Sequence, residues 1–252
     1  TTASGTGTII DNDGVPSISI GDAVLDEANG MMVFKVSLTN ESSSAVTVNF
    51  STTDGTAEDG KDYTSTTGSV TFPAGVTVQY IEVPFNDDNI SESDESFNVI
   101  LDTPVNAIIG DGAAVGTIKD NDLPTISITD TQTTEGDPAQ FIISLSNPSD
   151  EDIKISLGTT DGSADGTDYG PDVEVFVNGS WVPVSEVTIP AGDTQVVARV
   201  ATTADTISEG NENFTLDVTV IEGNTTNTTA SGTGTIIDND GVPSISIGDA
   251  VL

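Results

Sequence analysis

The sequence contains no cysteine and no histidine, and only five of its 252 residues are lysine or arginine. Without cysteine, neither disulfide bonds nor thiolate metal sites are available. Without histidine, the chain lacks the commonest general base, the commonest zinc ligand and the serine–histidine–aspartate triad. Any metal site must therefore be built from oxygen ligands, which suit hard cations such as calcium.

Positive charge is scarce, whereas aspartate and glutamate total 41, so the formal net charge is -36. This excess opposes binding to nucleic acids and to anionic membrane surfaces, which proteins contact through lysine and arginine. We also expect no direct membrane insertion, because no stretch approaches the roughly 20 apolar residues of a membrane span. The acidic residues have two interpretations, a solvated acidic coat or sites for divalent cations, and their positions must decide between them.

A long repeat organises the chain. Residues 1–25 and 228–252 are identical, and a weaker copy lies at 115–128. The copies contain Asp-Asn-Asp triplets whose spacings, 109 and 118 residues, are each the size of a small sandwich domain. We therefore predict two modules, at residues 14–122 and 123–240. The last strand of a preceding module is expected at 1–13, and the first strand of a following module at 241–252.

Apolar residues alternate with polar ones throughout both modules, as in Met32, Phe34 and Val36, or Phe141, Ile143 and Leu145. This period of two is typical of half-buried strands, and glycine, asparagine, aspartate and proline separate the segments. About seven strands per module predict an all-β fold of two antiparallel sandwiches. An extra hairpin is predicted near 173–184 in the second module, because the residues around Asn-Gly alternate there.

Five motifs recur in the same order in both modules. They occupy 51–57, 60–63, 68–75, 87–97 and 118–122 in the first module, and 159–164, 166–169, 189–192, 205–214 and 237–240 in the second. Together they resemble the Calx-beta family, whose immunoglobulin-like β-sandwich binds calcium at one end. The family occurs in sodium–calcium exchangers, integrin β4 and giant bacterial surface proteins. Identical tandem copies are most similar to the last group, the large repetitive cell-surface adhesins of bacteria.

The resemblance implies a set of calcium ligands in each module. In the first module these are Glu27, Asp62, Asp87, Asp88, the Ile90 carbonyl, Glu92, Glu95, Asp120 and Asp122. In the second they are Glu135, Asp168, Asp205, Ile207, Glu209, Glu212, Asp238 and Asp240. The second module has Ala204 in place of Asp87 and Asn211 in place of Asp94, so we expect it to bind fewer calcium ions or to bind them more weakly.

Elementary electrostatics supports the same sites. Two carboxylates ~4 Å apart repel by about 4 kcal/mol at an effective dielectric near 20. Converging acidic loops therefore need cations, and calcium binding would stabilise the folded module. The alternative for each acid is a solvated turn residue, and we favour that interpretation for Asp54 and Asp161 in their Asp-Gly turns. Asn121 and Asn239 could supply a ligand oxygen or hold the linker turn.

Trp181, the single tryptophan, lies just past the predicted hairpin turn. It could contact a glycan or a neighbouring module, although packing against its own sandwich is the more ordinary role. Paired carboxylates can also catalyse glycoside hydrolysis, but these acids sit among many others in end loops, and we expect no enzymatic activity.

The sequence therefore predicts a calcium-stiffened stalk or spacer repeat of a secreted adhesin at the extracellular cell surface. Its expected partners are neighbouring modules of the same chain, surface polysaccharide and other cell-surface proteins. The alternatives are a polysaccharide- or partner-binding module that uses the hairpin, and a calcium sensor.

Overall fold

The structure is a computed structural model that describes residues 2–8 and 12–247. These residues form an all-β protein, as predicted, and its single short helical segment is a 3₁₀ turn at Glu27–Asn29. The chain divides into two compact units near Asn121, except that Asn89–Glu92 belong to the second unit. No helix in the described part of the chain has the length and hydropathy that a bilayer span requires.

The first unit contains nine strands. They are β1 (Ser17–Ile20), β2 (Ala23–Asp26), β3 (Met31–Leu38), β4 (Val46–Asp54), β5 (Thr67–Phe72), β6 (Val78–Pro84), β7 (Glu95–Val105), β8 (Ile108–Asp111) and β9 (Ala113–Lys119). One sheet has the order β6-β3-β1-β8, and the other has the order β2-β9-β7-β4-β5.

The second unit contains ten strands. They are β10 (Ile126–Ile128), β11 (Thr131–Thr134), β12 (Ala139–Leu145), β13 (Ile153–Asp161), β14 (Tyr169–Val177), β15 (Ser180–Pro183), β16 (Glu186–Ile189), β17 (Gln195–Thr202), β18 (Glu212–Glu222) and β19 (Thr229–Ile237). Its sheets have the orders β10-β12-β17-β14-β15 and β11-β19-β18-β13-β16.

Most strand pairs are antiparallel, but the second strand of each unit forms a parallel pair. After β1 pairs with β3, the chain passes to the other sheet, where β2 runs parallel to the last strand β9. In the second unit β10 pairs with β12, the chain then passes to the other sheet, and β11 runs parallel to the last strand β19. Strands that run parallel end at the same edge of the sheet, and this property positions the acidic site.

Each core is centred on three aromatic rings. In the first unit Tyr63 stacks on Phe97 with ring centroids 4.5 Å apart, and Phe34 meets Phe97 edge-on. Tyr169, Phe214 and Phe141 repeat this arrangement in the second unit. A Cβ atom added to Gly234, in β19, would lie 2.8 Å from the Phe214 ring, so only glycine lets the last strand pass so close to the aromatic cluster.

The second unit has a hairpin where the sequence predicts one. Strands β14 and β15 pair antiparallel across Asn178-Gly179, and both turn residues have positive φ, 52° and 83°. This backbone conformation is what a two-residue hairpin turn with the strand's twist requires. The hairpin extends its sheet to five strands, whereas the corresponding sheet of the first unit has four.

The strands predicted at the two termini belong to neighbouring modules, and they stay predictions. The structure shows no strand in 2–8, 12–16 or 241–247, because none of these residues pairs with a strand among those described. The rest of the two predicted strands, residues 1, 9–11 and 248–252, lies outside the described residues. Ile245 is 96% exposed, while Ile18, its counterpart in the identical repeat, is fully buried in β1.

Candidate metal centres

Three carboxylates meet where β11 and β19 end in the second unit. Glu135 directly follows β11, and Asp238 directly follows β19. Because these strands are parallel, their ends lie side by side, and the Glu135 N–H donates to the Ile237 carbonyl at 3.1 Å. One carboxylate oxygen from each of Glu135, Asp238 and Asp240 lies within 4.8 Å of the others. We call these three residues the exit cluster.

A second group, the loop cluster, consists of Asp168, Glu209 and Glu212, whose carboxylate oxygens also lie within 4.8 Å of one another. Asp168 directly precedes β14, and Glu212 begins β18. The Asp168 carbonyl accepts a hydrogen bond of 2.8 Å from the Thr203 N–H, which fixes its loop against the end of β17. Parts of the sequence more than 40 residues apart therefore converge, as the resemblance implied.

Both clusters contribute to one narrow pocket at this end of the sandwich, which every cluster residue except Asp240 lines. The pocket encloses about 10 Å³ and includes Asp205, whose N–H lies 3.4 Å from Glu135 Oε1. That space accommodates roughly one sphere of water size. The Glu209 N–H donates to Asp238 Oδ2 at 3.2 Å and so links the clusters. The pocket can thus hold a small cation between carboxylates that the backbone already orients.

The acids in this pocket resist ionisation. Burial raises the pKa of Glu135, and the negative charges of Asp240, Asp205 and Asp238 raise it further. Burial likewise raises the pKa values of Glu209 and Glu212, with repulsion from Asp168 adding to both shifts. Such shifts mean that the folded state holds these groups as anions at a free-energy cost. A bound cation would remove that cost.

These pKa shifts predict an unusual pH dependence in the absence of divalent metal. A carboxyl group whose pKa is raised on folding binds protons better in the folded state, so its contribution to stability falls as pH rises. We expect the melting temperature in EDTA to increase as pH is lowered from about 7.5 towards the ordinary glutamate value of 4.5. With saturating calcium the same acidification should lower the melting temperature, because protons then compete with the metal. Paired thermal melts test this, and a lower melting temperature at pH 5 than at pH 7.5 in EDTA would contradict it.

The first unit holds two equivalent pairs of carboxylates. Glu27, which is buried, and Asp87 have carboxylate oxygens within 4.8 Å, and so do Asp62 and Glu95. Two further predicted ligands, Glu92 and Asp122, group with the second unit by their contacts. Asp62 and Asp168 are held in the same way, since each accepts a 2.8 Å hydrogen bond from a backbone N–H.

The remaining predicted ligands have different surroundings. Asp88 and Asp120 are not members of the three-carboxylate groups found among the described residues. The Asp205 carboxylate accepts a 2.6 Å hydrogen bond from the Ile207 N–H, so it fixes its own loop while lining the pocket. The side chains of Ile90 and Ile207 are not buried, and because a hydrocarbon side chain has no ligand atom, only their carbonyl groups could bind a metal.

Two asparagines whose role the sequence left open, and two aspartates that it assigned to turns, have structural contacts. The Ala28 N–H donates to Asn121 Oδ1 at 3.2 Å, and Asn239 Nδ2 donates to the Glu135 carbonyl at 3.2 Å. Both asparagines thus tie the module exit to the turn that carries the nearby glutamate. Asp54 and Asp161 accept hydrogen bonds from the hydroxyls of Tyr63 and Tyr169 at 2.7 and 2.5 Å. The sequence assigned these aspartates to turns but did not reveal the tyrosines.

The Tyr63 contact yields a prediction. The hydroxyl is buried and donates to a carboxylate, and a hydrogen bond to a charged group is worth about 1.5–3 kcal/mol. Tyr63→Phe should therefore lower the free energy of unfolding by about 1–3 kcal/mol in urea denaturation. Tyr80→Phe, at an exposed position of the same unit, is the matched control and should change it by less than about 0.5 kcal/mol. Equal effects of the two substitutions would show that the Tyr63 hydroxyl contributes nothing.

The donor set of the second unit fits a hard divalent cation. Asp240 Oδ2 is buried and accepts no hydrogen bond from the described residues. A buried carboxylate oxygen without a donor is costly unless a cation satisfies it. Two oxygens that each lie 2.3–2.6 Å from one calcium ion are at most about 5 Å apart, and the cluster oxygens meet that limit.

Comparison with known proteins gives the family. The Calx-beta domain family model matches residues 11–122 and 119–240, which together make up most of the chain. Sodium/calcium exchanger 1 of Canis lupus familiaris and of Rattus norvegicus are each 50% identical to this chain over 56 residues. That stretch is 22% of this chain and only 6% of the length of these relatives.

The solved structures to which this chain is similar include Calx domains. The apo-form Calx CBD1 domain is 27% identical, with a TM-score of 0.41, and covers 43% of this chain and 100% of its own. The tandem CBD12 from CALX1.2 is 17% identical, with a TM-score of 0.43, and covers 87% of this chain and 99% of its own. On the two matches of the family model, the chain belongs to the Calx-beta family, with two Calx-beta domains in tandem.

Proposed function

We propose that the acidic end of each domain binds calcium and that the bound ions stabilise the fold. One observation carries the proposal. In the second unit, six carboxylates form two clusters, five of the six line a common pocket, and the buried Asp240 Oδ2 accepts no hydrogen bond from the described residues. Calcium favours six to eight oxygen ligands from carboxylates, carbonyls and water, and this pocket supplies carboxylates.

Some groups of the pocket would bind the ion, and others orient the groups that bind it. The exit and loop clusters would contribute carboxylate oxygens, and calcium would neutralise the charge that now opposes their ionisation. Backbone N–H groups orient the carboxylates of Asp168, Asp205 and Asp238. Preoriented ligands bind more tightly because less conformational entropy is lost on binding.

Calorimetric titration of calcium into the chelator-treated chain tests this proposal. We expect saturable binding that Asp240→Asn weakens. Glu151→Gln removes the same charge from an exposed position of the second unit, and as the matched control it should leave the titration unchanged. Heats that do not saturate, or an equal effect of both substitutions, would refute calcium binding at the exit cluster.

We also propose that the chain is a non-catalytic stalk repeat of a secreted adhesin at the extracellular cell surface. Its support is the exact identity of residues 1–25 and 228–252, which is expected when a two-domain unit is copied to add length. The junction is short, since Asp122-Leu123-Pro124 leads directly from one domain to the next and proline restricts the backbone there. We expect its partners to be neighbouring domains, surface polysaccharide and other cell-surface proteins.

Small-angle scattering tests the stalk proposal. A calcium-stiffened repeat should have a larger and more narrowly distributed maximum dimension in calcium than in EDTA. Dimensions that do not change between the two conditions would refute calcium stiffening while leaving calcium binding intact.

The similarity to sodium/calcium exchangers favours a second candidate, a regulatory calcium sensor. A sensor must change its affinity or shape within a defined calcium range, whereas a stalk repeat must remain saturated. The titration separates them. Saturation at the millimolar calcium of extracellular modules favours the stalk, and affinities in the range of about 10⁻⁷–10⁻⁵ M favour the sensor.

A further inference from the structure

The hairpin of the second unit carries an aromatic pair on the outer face of its sheet. Phe176 and Trp181 are directly opposite each other in β14 and β15, with ring centroids 5.2 Å apart. Neither ring belongs to the hydrophobic core of this unit, and Phe176 is 51% exposed. The packing role considered for Trp181 is therefore limited to the surface of its own sheet.

An apolar row extends from this pair across the sheet. Ile142 of β12 is opposite Val197 of β17, and Val197 lies on the same face as Phe176. Ile142 is 40% exposed and Val197 half-buried. Four strands therefore present adjacent apolar side chains, at Ile142, Val197, Phe176 and Trp181. Contiguous exposed apolar surface of this kind marks binding sites more often than scattered residues do.

A polar row runs beside the apolar row. Arg199 of β17 is opposite Gln140 of β12 on one side and Glu174 of β14 on the other. Its Nε donates to Glu174 Oε2 at 2.6 Å, and its guanidinium lies 4.3 Å from the centre of the Trp181 ring. The chain has one arginine and one tryptophan, and it places them in contact here. The ion pair fixes the tryptophan and offers amide, guanidinium and carboxylate groups next to an aromatic surface.

A groove adjoins the aromatic pair. It has a volume of about 440 Å³, within the roughly 300–1,000 Å³ typical of ligand clefts. Phe176 and Val177 form part of its wall, together with the polar side chains of Asn178, Thr188 and Gln195. These three groups donate and accept hydrogen bonds without carrying charge, and Asp193 adds one carboxylate to the lining.

We propose that this surface binds a neutral polysaccharide, with a sugar ring against Phe176 and Trp181 and neighbouring sugars along the groove. A sugar ring offers a C–H face to an aromatic side chain and hydroxyl groups to the polar row, and the surface has both components. The charges of this surface and of the whole chain also favour a neutral polysaccharide. Arg199 is already neutralised by Glu174, and the net charge of -36 opposes a polyanion.

The edge of the sheet makes a protein strand a poorer occupant. Strand β15 is the edge strand, and Pro183 at its end has no N–H to donate to an added strand.

The first unit provides a comparison because it lacks the hairpin. Tyr80, an exposed aromatic residue of β6, lies at the edge of its four-stranded sheet and is not opposed by a second ring.

Affinity electrophoresis of the full chain through gels containing dextran, hydroxyethylcellulose, laminarin or galactomannan tests the proposal. We expect at least one of these neutral polysaccharides to retard the chain and to change the emission of Trp181, which as the single tryptophan reports this surface directly. Phe176→Ala and Trp181→Ala should each weaken that retardation by about tenfold or more, the scale of losing one well-placed aromatic contact. Tyr80→Ala should leave it unchanged.

Several outcomes would overturn the proposal. These are no retardation in any of the four gels, retardation that Phe176→Ala leaves intact, and self-association of the chain that Phe176→Ala abolishes. The last result would assign the surface to a second copy of the chain. Melting curves of each variant establish that it is folded. Because this surface contains none of the cluster residues, Glu135→Gln should bind polysaccharide normally, so the outcome is independent of calcium binding.

Discussion

Removing calcium should lower the melting temperature of the chain by roughly 15 °C or more. A ligand present at 100 times its dissociation constant stabilises the folded state by about 2.7 kcal/mol per site. Two ions in one domain then contribute about 5 kcal/mol, and each kcal/mol shifts the melting temperature of a domain of this size by about 3–6 °C. The two carboxylate clusters of the second unit provide for two such ions.

Scanning calorimetry in calcium and in EDTA measures this difference. EDTA that is already saturated with calcium is the control for effects of the chelator itself, and it should leave the melting temperature unchanged. Restoring calcium in excess should recover the original transition. If the chain melts at one temperature in all these buffers, calcium contributes nothing to its stability.

Glu135→Gln should change stability in opposite directions with and without calcium. In EDTA the substitution removes a carboxylate whose pKa burial and neighbouring aspartates raise, so the variant should melt at a higher temperature than the wild type. In calcium the variant loses a ligand of the exit cluster. The calcium affinity of the variant should fall by at least about tenfold. Removing a group that only supports a metal ligand already costs about that much, and Glu135 is proposed as a ligand itself. The variant should therefore melt at a lower temperature.

The reversal of sign separates a metal site from a structural acid. Glu135 Oε1 lies 3.4 Å from the Asp205 N–H, and glutamine retains an oxygen that can accept the same hydrogen bond. A purely structural role would therefore give a small change of the same sign in both buffers. Glu151→Gln, the exposed control, should leave the calcium-dependent shift of the melting temperature at its wild-type size.

The sequence was sufficient to predict most of the sandwich. Alternation fixes which side chains face the core, and Phe34, Phe97, Phe141 and Phe214 are all buried. Alternation does not determine pairing direction. The parallel pairs of β2 with β9 and of β11 with β19 arise because the chain changes sheets between the first and second strands of each unit, and this depends on contacts more than 90 residues apart.

The acidic sites were predictable only in part. The resemblance named every carboxylate of the exit and loop clusters, but their order in the sequence does not show that six residues divide into two groups of three. Nor does it show that Tyr63 and Tyr169 hold Asp54 and Asp161, since these contacts depend on how the turns fold over the aromatic core. Whether Ala204 and Asn211 reduce the calcium content of the second domain stays a prediction.

The arrangement on the hairpin was the least accessible from sequence. Asn-Gly indicates the turn and the position of Trp181 beside it. Contact with Arg199 requires strand β17, 18 residues further along, to lie next to β14 in a particular register. Such registers are set by packing of the whole sheet, which local sequence patterns do not contain.

A crystal structure grown in calcium chloride tests the central claim most directly. It should show calcium between the carboxylates of Glu135, Asp238 and Asp240 and between those of Asp168, Glu209 and Glu212, with metal–oxygen distances of about 2.3–2.6 Å. Carboxylates turned away from one another into solvent, with no ion between them at millimolar calcium, would contradict it.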